Sequence, residues 1–309
     1  MRPIVALEEF TKEENLINIY PKNFYYLFNQ DFLDKINSLI KLKFGNNKTF
    51  LRALNKKIKQ QTSNRILTKY LNSEIYVPYI TLKEIKDIFS LGDFESNIIA
   101  VKSAKSSLPI FNPIINIKAT PGLANIIGHL LGDGGICKNK PYYFNKNLDL
   151  INNLKKNCYK TFGVFKIDES IDEGVICLRL PVVIGRLLNE INNTYSGANS
   201  NIPAFVLKGG REIKAAFIRA IFDDESSVLN SSITVEMTNK KIISNLPSLL
   251  RLFNIEINNI STRKRGINRR RTYIIRISGE QDFIKFFHYI NFDHPIKRKL
   301  LTEKIRSYK

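Results

Sequence analysis

GLANIIGHLLGDGG, residues 122–135, has a degenerate second copy in IKAAFIRAIFDDES, residues 213–226. Each stretch is an apolar run with helical spacing that ends in carboxylates, at Asp133 in the first copy and at residues 223–225 in the second. The C-terminal end of a helix already carries partial negative charge, so carboxylates there are mildly unfavourable. A site that binds a cation would give these acids a use.

Each copy opens a segment with the same order of predicted elements, in which the motif helix is followed by a β-like stretch, a helix, a hairpin and a last helix. We therefore predict an α+β protein with a pseudo-symmetric αββαββα repeat, preceded by a mostly helical N-terminal domain. The predicted divisions are a helical domain at 1–105, a proline-containing linker at 106–120, a first subdomain at 121–200 and a second at 201–309.

Small residues recur four apart in both copies, as Gly128 and Gly132 and as Ala216 and Ala220. Glycine inside a helix costs about 1 kcal/mol relative to alanine, so its presence there indicates a close contact with another helix. If the two helices pack in parallel, their carboxylate ends meet. Two close carboxylates raise each other's pKa unless a cation lies between them, and Mg²⁺ is the divalent ion that suits oxygen ligands and phosphate substrates.

The charge of the chain points to a polyanionic partner. Lys and Arg number 48 and Asp and Glu 28, which gives a formal net charge of +20. A balance this basic favours nucleic acid, although a generally basic proteome would produce it too. No apolar run is long enough for a membrane span and no signal peptide is evident, so we expect a cytoplasmic protein with no membrane partner.

The two motifs, IIGHLLGDG (126–134) and IRAIFDDES (218–226), resemble the paired motifs of the LAGLIDADG homing endonucleases. The predicted repeat order is also that of the family. The resemblance implies a monomeric enzyme that hydrolyses phosphodiesters in both strands of a long asymmetric duplex DNA with a divalent metal, Mg²⁺. It also implies two curved antiparallel sheets that lie in the major groove, which admits a β-ribbon.

The resemblance assigns the metal-ligating acids to Asp133 and Glu225. The residues that precede them, Gly132 and Asp224, are included in the predicted metal site. Glu225 stands where the family usually has aspartate, and Asp224 stands where a small apolar residue is usual.

The resemblance also predicts polar residues that assist the chemistry. Lys297, in NFDHPIKRKLL, is expected near the active site, with Lys299 as the second choice and a solvated basic tail as the alternative reading. A lysine there would stabilise charge on the phosphate. Asn239 matches a position that helps to hold water at the metal, and Lys146 is its predicted counterpart in the first repeat.

Nucleic-acid contacts are expected from the second hairpin and from nearby polar residues. The hairpin TRKRGINRRRT carries a dense basic cluster, whereas the matching hairpin of the first repeat is acidic, so we expect the two halves to grip DNA unequally. The predicted contacts are Arg263, Lys264, Arg265, Arg269, Arg270, Arg271, Lys240, Glu236, Lys138 and Tyr142.

The N-terminal region has a helical pattern over residues 20–100. TFLRALNKKIKQQTSNRILTKYLN, residues 49–72, loosely resembles a repressor-type helix-turn-helix, in which Thr62 or Ser63 would cap the second helix. That second helix would present Arg65 and Lys69 to DNA. A plain helical domain is the alternative.

Two other functions fit the same scaffold. A DNA-binding regulator whose nuclease site has decayed would bind duplex DNA without cutting it. A maturase would bind intron RNA and prefer structured RNA to duplex DNA.

Overall fold

The computed structural model defines the chain in nine stretches. The described residues are 15–18, 24–58, 61–92, 94–104, 107–192, 195, 200–229, 231–264 and 271–308.

The N-terminal unit combines four helices with short strands. Residues 25–28 were expected to be helical but form a strand, because every second side chain is buried there, as in a sheet with one covered face. The predicted linker also contains strands. The elements are β1 Asn15–Asn18, β2 Tyr25–Phe28, α1 Gln30–Phe44, α2 Asn47–Lys57, α3 Asn64–Leu71, β3 Val77–Pro78, α4 Tyr79–Phe89, β4 Ile98–Lys102, β5 Ile110–Phe111 and β6 Asn116–Lys118.

The first repeat contains the predicted order of elements plus one short strand, β9. Thr120 caps its first helix by accepting a hydrogen bond from the Leu123 amide, and Pro121 occupies the first helical turn, where a proline is well tolerated. The elements are α5 Pro121–Leu131, β7 Gly134–Cys137, β8 Lys140–Asn145, α6 Leu148–Phe162, β9 Val164–Phe165, β10 Asp168–Asp172, β11 Val175–Arg179 and α7 Val182–Ile191.

The second repeat contains the same order, with an additional helix at each end. The elements are α8 Ala204–Lys208, α9 Arg211–Glu225, β12 Ser226–Val228, β13 Ile233–Met237, α10 Lys240–Arg251, β14 Ser261–Lys264, β15 Arg271–Ile277, α11 Glu280–Tyr289 and α12 Pro295–Arg306. The α+β class and the paired αββαββα repeat are confirmed.

The two repeats build sheets of the same topology. The strand orders are β10-β11-β8-β7 and β12-β13-β15-β14, so in each sheet the first and second strands of the repeat pair, and the second also pairs with the fourth. All pairings within both sheets are antiparallel. The matching orders support an internal repeat beyond the motif helices.

Helices α5 and α9 pack tightly against each other at the centre of the molecule. A Cβ placed on Gly128 would lie 2.6 Å from the Cβ of Ala220 and 3.0 Å from the carbonyl oxygen of Phe217. Only glycine permits this approach, as the spacing of small residues predicted. Apolar side chains of both helices, among them Ile127 and Ile221, are fully buried around the contact.

A third sheet joins the N-terminal unit to the first repeat. Its order is β3-β2-β4-β5-β9, so β5 of the predicted linker pairs with β9, which follows α6 of the first repeat. None of the helices in the described part of the chain combines the length and hydropathy needed to cross a bilayer.

Candidate active site at the ends of two helices

The paired helices bring the predicted acids together. Asp133 follows Gly132, the C-cap of α5, and Glu225 is the last residue of α9. The helix ends are in contact, since a Cβ on Gly132 would lie 2.7 Å from Oδ2 of Asp224. The charge of Asp133 contributes to raising the pKa of Glu225.

Both carboxyl groups have strongly raised pKa values. Partial desolvation, followed by the charge of Asp224, raises the pKa of Asp133 to about 7, although this residue keeps solvent-exposed surface. Desolvation also raises the pKa of Glu225 to about 8, with the charges of Asp133 and Asp224 adding to the shift. Neighbouring like charges are costly, and a positive charge shared by the two carboxylates would lower that cost.

Lys297 lies at the same helix end. Its Nζ donates hydrogen bonds to the carbonyl oxygens of Phe222, at 3.1 Å, and Asp223, at 2.6 Å, which belong to the last turn of α9. Burial lowers the pKa of Lys297, and its charge in turn lowers the pKa values of Asp133 and Glu225. The alternative reading of a solvated tail does not fit this position. Lys299 is exposed and lies 3.9 Å from Glu303.

Asp223 fixes the segment that carries Lys297. Its carboxylate accepts hydrogen bonds from the backbone amides of Asp293, at 3.1 Å, and His294, at 3.0 Å. His294 then caps α12, the helix that contains Lys297. Burial raises the pKa of Asp223 to about 7. Sequence reasoning placed Asp223 near the helix end, but its partners, 70 residues away, had no signal in the motif.

Asp224, which the sequence placed in the metal site, is turned into the helix interface. Its side chain has no exposed surface, and its oxygens accept hydrogen bonds from Tyr143 Oη at 2.7 Å, His129 Nδ1 at 3.0 Å and the Asp133 amide at 3.4 Å. These protein donors take the place of a cation. The arrangement therefore does not support the predicted role of Asp224 as a metal ligand.

Asn239 and Lys146 have different surroundings from those predicted. Asn239 caps α10 by accepting from the amides of Lys241 and Ile242, and its side-chain amide donates to the Ser200 carbonyl at 3.0 Å. The residue that caps α6 in the same way is Asn147. Asn147, and not the exposed Lys146, is therefore the first-repeat counterpart of Asn239. The capping contacts give Asn239 a structural role.

The donor set at the helix ends fits a hard divalent cation. Within the described residues, His, Cys, Asp and Glu side chains form no group of three suited to hold a metal by themselves. One or two carboxylates are nevertheless the usual protein contribution to Mg²⁺, which completes its shell with water and substrate phosphates. Asp133 and Glu225 are the residues in place to hold it.

The predicted DNA-contacting residues of the second sheet lie on two different faces. Arg263 and Glu236 lie on the face away from the helices, where Arg263 Nη2 is 3.7 Å from Glu236 Oε2. Lys264 pairs with Arg271 in the strand register. Both residues therefore lie on the opposite face of the sheet from Arg263. Arg265, Arg269 and Arg270 lie outside the described residues.

The first sheet presents aromatic side chains instead of a basic cluster. Tyr142 packs its ring 5.5 Å from that of Phe144, on the face away from the helices. The negative charge of the acidic hairpin is partly compensated by Arg179, whose Nη1 lies 3.7 Å from Asp168 Oδ2. Lys138 is exposed in the turn between β7 and β8, and Lys240 is exposed at the first position of α10.

The raised pKa values predict how pH acts on the metal-free protein. Because the folded pKa of Glu225 is about 8, above the ordinary 4.5, folding favours its protonated form, and stability falls as pH rises from about 4.5 through about 8. We expect Glu225→Gln to raise the free energy of unfolding at pH 8.5 by ~1–2 kcal/mol, discounted for solvent screening, and to leave it nearly unchanged at pH 5. Urea denaturation at the two pH values measures this, and an equal effect at both would contradict the prediction.

Comparison with known proteins identifies the second repeat directly. Residues 212–291 match the sequence profile of the LAGLIDADG-like domain. This segment begins in α9 and contains Glu225, β12 to β15 and α11. The chain therefore carries a LAGLIDADG-like domain over these residues.

Other similarities are more distant. Over 214 residues, 66% of this chain, the sequence is 25% identical to the glutamine–fructose-6-phosphate aminotransferase (isomerizing) of Methanocaldococcus jannaschii, and the match spans only 19% of that protein's length. The fold is similar to the homing endonuclease I-DmoI in complex with DNA and Ca, at 16% identity, TM-score 0.44, 60% of this chain and 98% of that one. It is also similar to full-length DUF199/WhiA from Thermatoga maritima, at 14% identity, TM-score 0.41 and 61% of each chain.

Proposed function

We propose that the chain is a site-specific endonuclease that hydrolyses phosphodiesters in both strands of a long asymmetric duplex DNA with a divalent metal. The observation that carries the proposal is the convergence of Asp133 and Glu225 at the ends of two tightly packed helices, with pKa values of about 7 and 8. Desolvating carboxyl groups and placing them near one another costs free energy. Cation-dependent chemistry is a function that would require this arrangement.

In this proposal Asp133 and Glu225 hold the cation, which we take to be Mg²⁺. When bound, it would neutralise charge on the reacting phosphate and assist the departure of the leaving oxygen. Lys297 adds a positive charge fixed by the α9 carbonyls, and that charge is placed to stabilise the phosphate in the transition state. Asp223 keeps the segment before α12 in place.

The faces of the two sheets that lie away from the helices form the proposed DNA surface. Tyr142 of the first sheet and Arg263 of the second lie on these faces, and Lys138 and Lys240 are exposed near them. Their unequal character suits an asymmetric target bound by a single chain, and we propose a cytoplasmic monomer.

We also propose that residues 1–105 form a DNA-binding unit of the helix-turn-helix type, joined to the repeats through residues 106–120. Asn55 at the end of α2 bonds to both the amide and the carbonyl of Thr62, and these bonds link α2 to the residue before the cap of α3. Ser63 caps α3 through the Ile66 amide. No acidic residue occurs between Asp34 and Glu74, which suits a phosphate backbone.

Replacing Arg65 and Lys69 with glutamine is expected to weaken DNA binding without slowing the chemical step. Arg65 is exposed and Lys69 partly exposed on α3, remote in sequence from the paired acids. Loss of two phosphate contacts should reduce the slope of log K against log salt by about 2. Fluorescence anisotropy at several salt concentrations measures the slope. The matched control removes exposed Lys156 and Lys160 of α6, and an equal slope change in both variants would argue against the prediction.

A non-cleaving DNA-binding regulator is the second candidate. It is favoured by Lys297, whose ammonium group already brings positive charge to the acids, and by the burial of Asp224 in the helix interface. Both features reduce the need for an external cation.

Selection from a random duplex DNA pool tests the proposal. Bound duplexes are recovered in Ca²⁺, Mg²⁺ is then added, and the new ends are sequenced. Double-strand cuts at one site would support the endonuclease. Specific binding that stays uncut would favour the regulator, and preference for structured RNA over every duplex would count against both.

A further inference from the structure

The carboxylate of Asp224 forms its hydrogen bonds with the other repeat. The residue belongs to α9, yet the three groups that donate to its carboxylate, His129, Tyr143 and the amide of Asp133, all belong to the first repeat. The side chains of Asp224 and His129 have no exposed surface. A buried carboxylate is costly unless its oxygens accept hydrogen bonds, and these three contacts supply the donors.

The donors themselves are anchored in the first repeat. Asn157 of α6 donates to the Asn125 side chain at 2.7 Å, and Asn125 turns its amide nitrogen towards Nε2 of His129 at 3.4 Å. That contact directs the Nδ1 proton of His129 to Asp224. On the other side, the Tyr143 hydroxyl accepts from Asn145 at 3.0 Å.

Gly132, which occupies the position in the first repeat that Asp224 occupies in the second, makes no matching side-chain contact. Gly128 faces Ala220 in the helix pair, and counting four residues on from each places Gly132 opposite Asp224. Glycine has no side chain to return the contact, and the space that its Cβ would take is filled by Asp224, 2.7 Å away. The backbone of Asp133 is therefore held from the opposite repeat, while Glu225 receives no matching support from Gly132.

We propose that Asp224 is a positioning residue that braces Asp133 from the opposite repeat and makes the two halves of the active site unequal. The inference rests on the proposed endonuclease function. Its consequence is strand-specific, because the strands of a duplex are related by two-fold symmetry, and a pseudo-two-fold protein presents one repeat to each strand. Loss of the brace should disturb the half of the site that contains Asp133 more than the other half.

The test uses Asp224→Asn, which keeps the shape of the side chain but loses one acceptor oxygen, and Tyr143→Phe, which removes a single donor. Ile221→Val is the control, because it trims a fully buried side chain of the same helix interface without touching the brace. Cleavage of each strand is followed separately, at saturating protein, on the duplex selected with the wild type.

We expect both brace variants to change the ratio of the two strand-cleavage rates by about tenfold and to accumulate nicked duplex, while the control keeps the wild-type ratio. A merely structural role predicts equal loss on both strands. Rates that fall by one factor on both strands, or that do not change, would overturn the proposal.

Amide hydrogen exchange gives a readout that does not need cleavage. We expect the amide of Asp133 to exchange about tenfold faster in Asp224→Asn than in Ile221→Val. An unchanged exchange rate of the Asp133 amide would overturn the proposed role of Asp224, even if the ratio of the two strand-cleavage rates changed. If the wild-type protein cuts no duplex, the proposed endonuclease function is wrong. The exchange measurement would still decide whether Asp224 holds the backbone of Asp133.

Discussion

Asp133→Asn and Glu225→Gln are each expected to reduce DNA cleavage about a thousandfold, since charge stabilisation at a metal site contributes several kcal/mol and each 1.36 kcal/mol is about tenfold in rate. Both amides keep the size of the side chain but remove the negative charge that, in the proposed function, would hold a cation. Binding to the selected duplex in Ca²⁺-free buffer should be retained or slightly tightened, because each variant removes a negative charge near the phosphates. Single-turnover cleavage and anisotropy measure the two effects.

The control for this pair is Glu190→Gln, which removes the charge of an exposed carboxylate on α7. It should cut at the wild-type rate. If either active-site variant retained more than about a tenth of the wild-type rate, its side chain would not be a required ligand.

Gly128→Val is expected to lower the free energy of unfolding by about 3 kcal/mol, the upper end of what overpacking costs in a dense core. The first added carbon would already lie 2.6 Å from the Cβ of Ala220, which is fixed to its backbone and cannot rotate away. The helices must therefore separate, and the acids at their ends separate with them. Urea denaturation measures the loss, and cleavage should fall as well.

Two further variants make the cause of this loss testable. Gly128→Ala should be destabilising despite the helix propensity of alanine, and adding Ala220→Gly should restore much of the loss by returning the space. Gly122→Ala is the matched control, because its Cβ would meet Asn157 Oδ1 at an ordinary 3.6 Å. Equal effects at Gly122 and Gly128 would mean that helix contact is not the cause.

The repeat architecture was predictable because both copies carry the same local signals. Apolar periodicity, small residues four apart and terminal acids occur at corresponding places, so α5 and α9 and the strands after them were assigned without knowledge of the contacts between them. The strand at Tyr25–Phe28 was missed because its aromatic residues also fit a helical spacing. Tertiary pairing with β4 decides the conformation there.

The site was predictable only in part. Asp133 and Glu225 follow from the position of each acid relative to its helix. The partners of Asp223 and Asp224 do not, because they lie 70 to 95 residues away along the chain. The cap formed by Asn239 had a readable signal, since asparagine directly before a helical run is a common N-cap, and the same signal would have matched it to Asn147.

In the proposed function, Asp133 and Glu225 together hold a divalent cation. Anomalous diffraction from crystals grown with the selected duplex and Mn²⁺ tests it most directly, because the metal is located without reference to activity. We expect an anomalous peak within coordination distance of both carboxylates, which disappears in Asp133→Asn. Fully occupied DNA with no peak between the two residues, or a peak held by other side chains, would mean that Asp133 and Glu225 do not hold the metal.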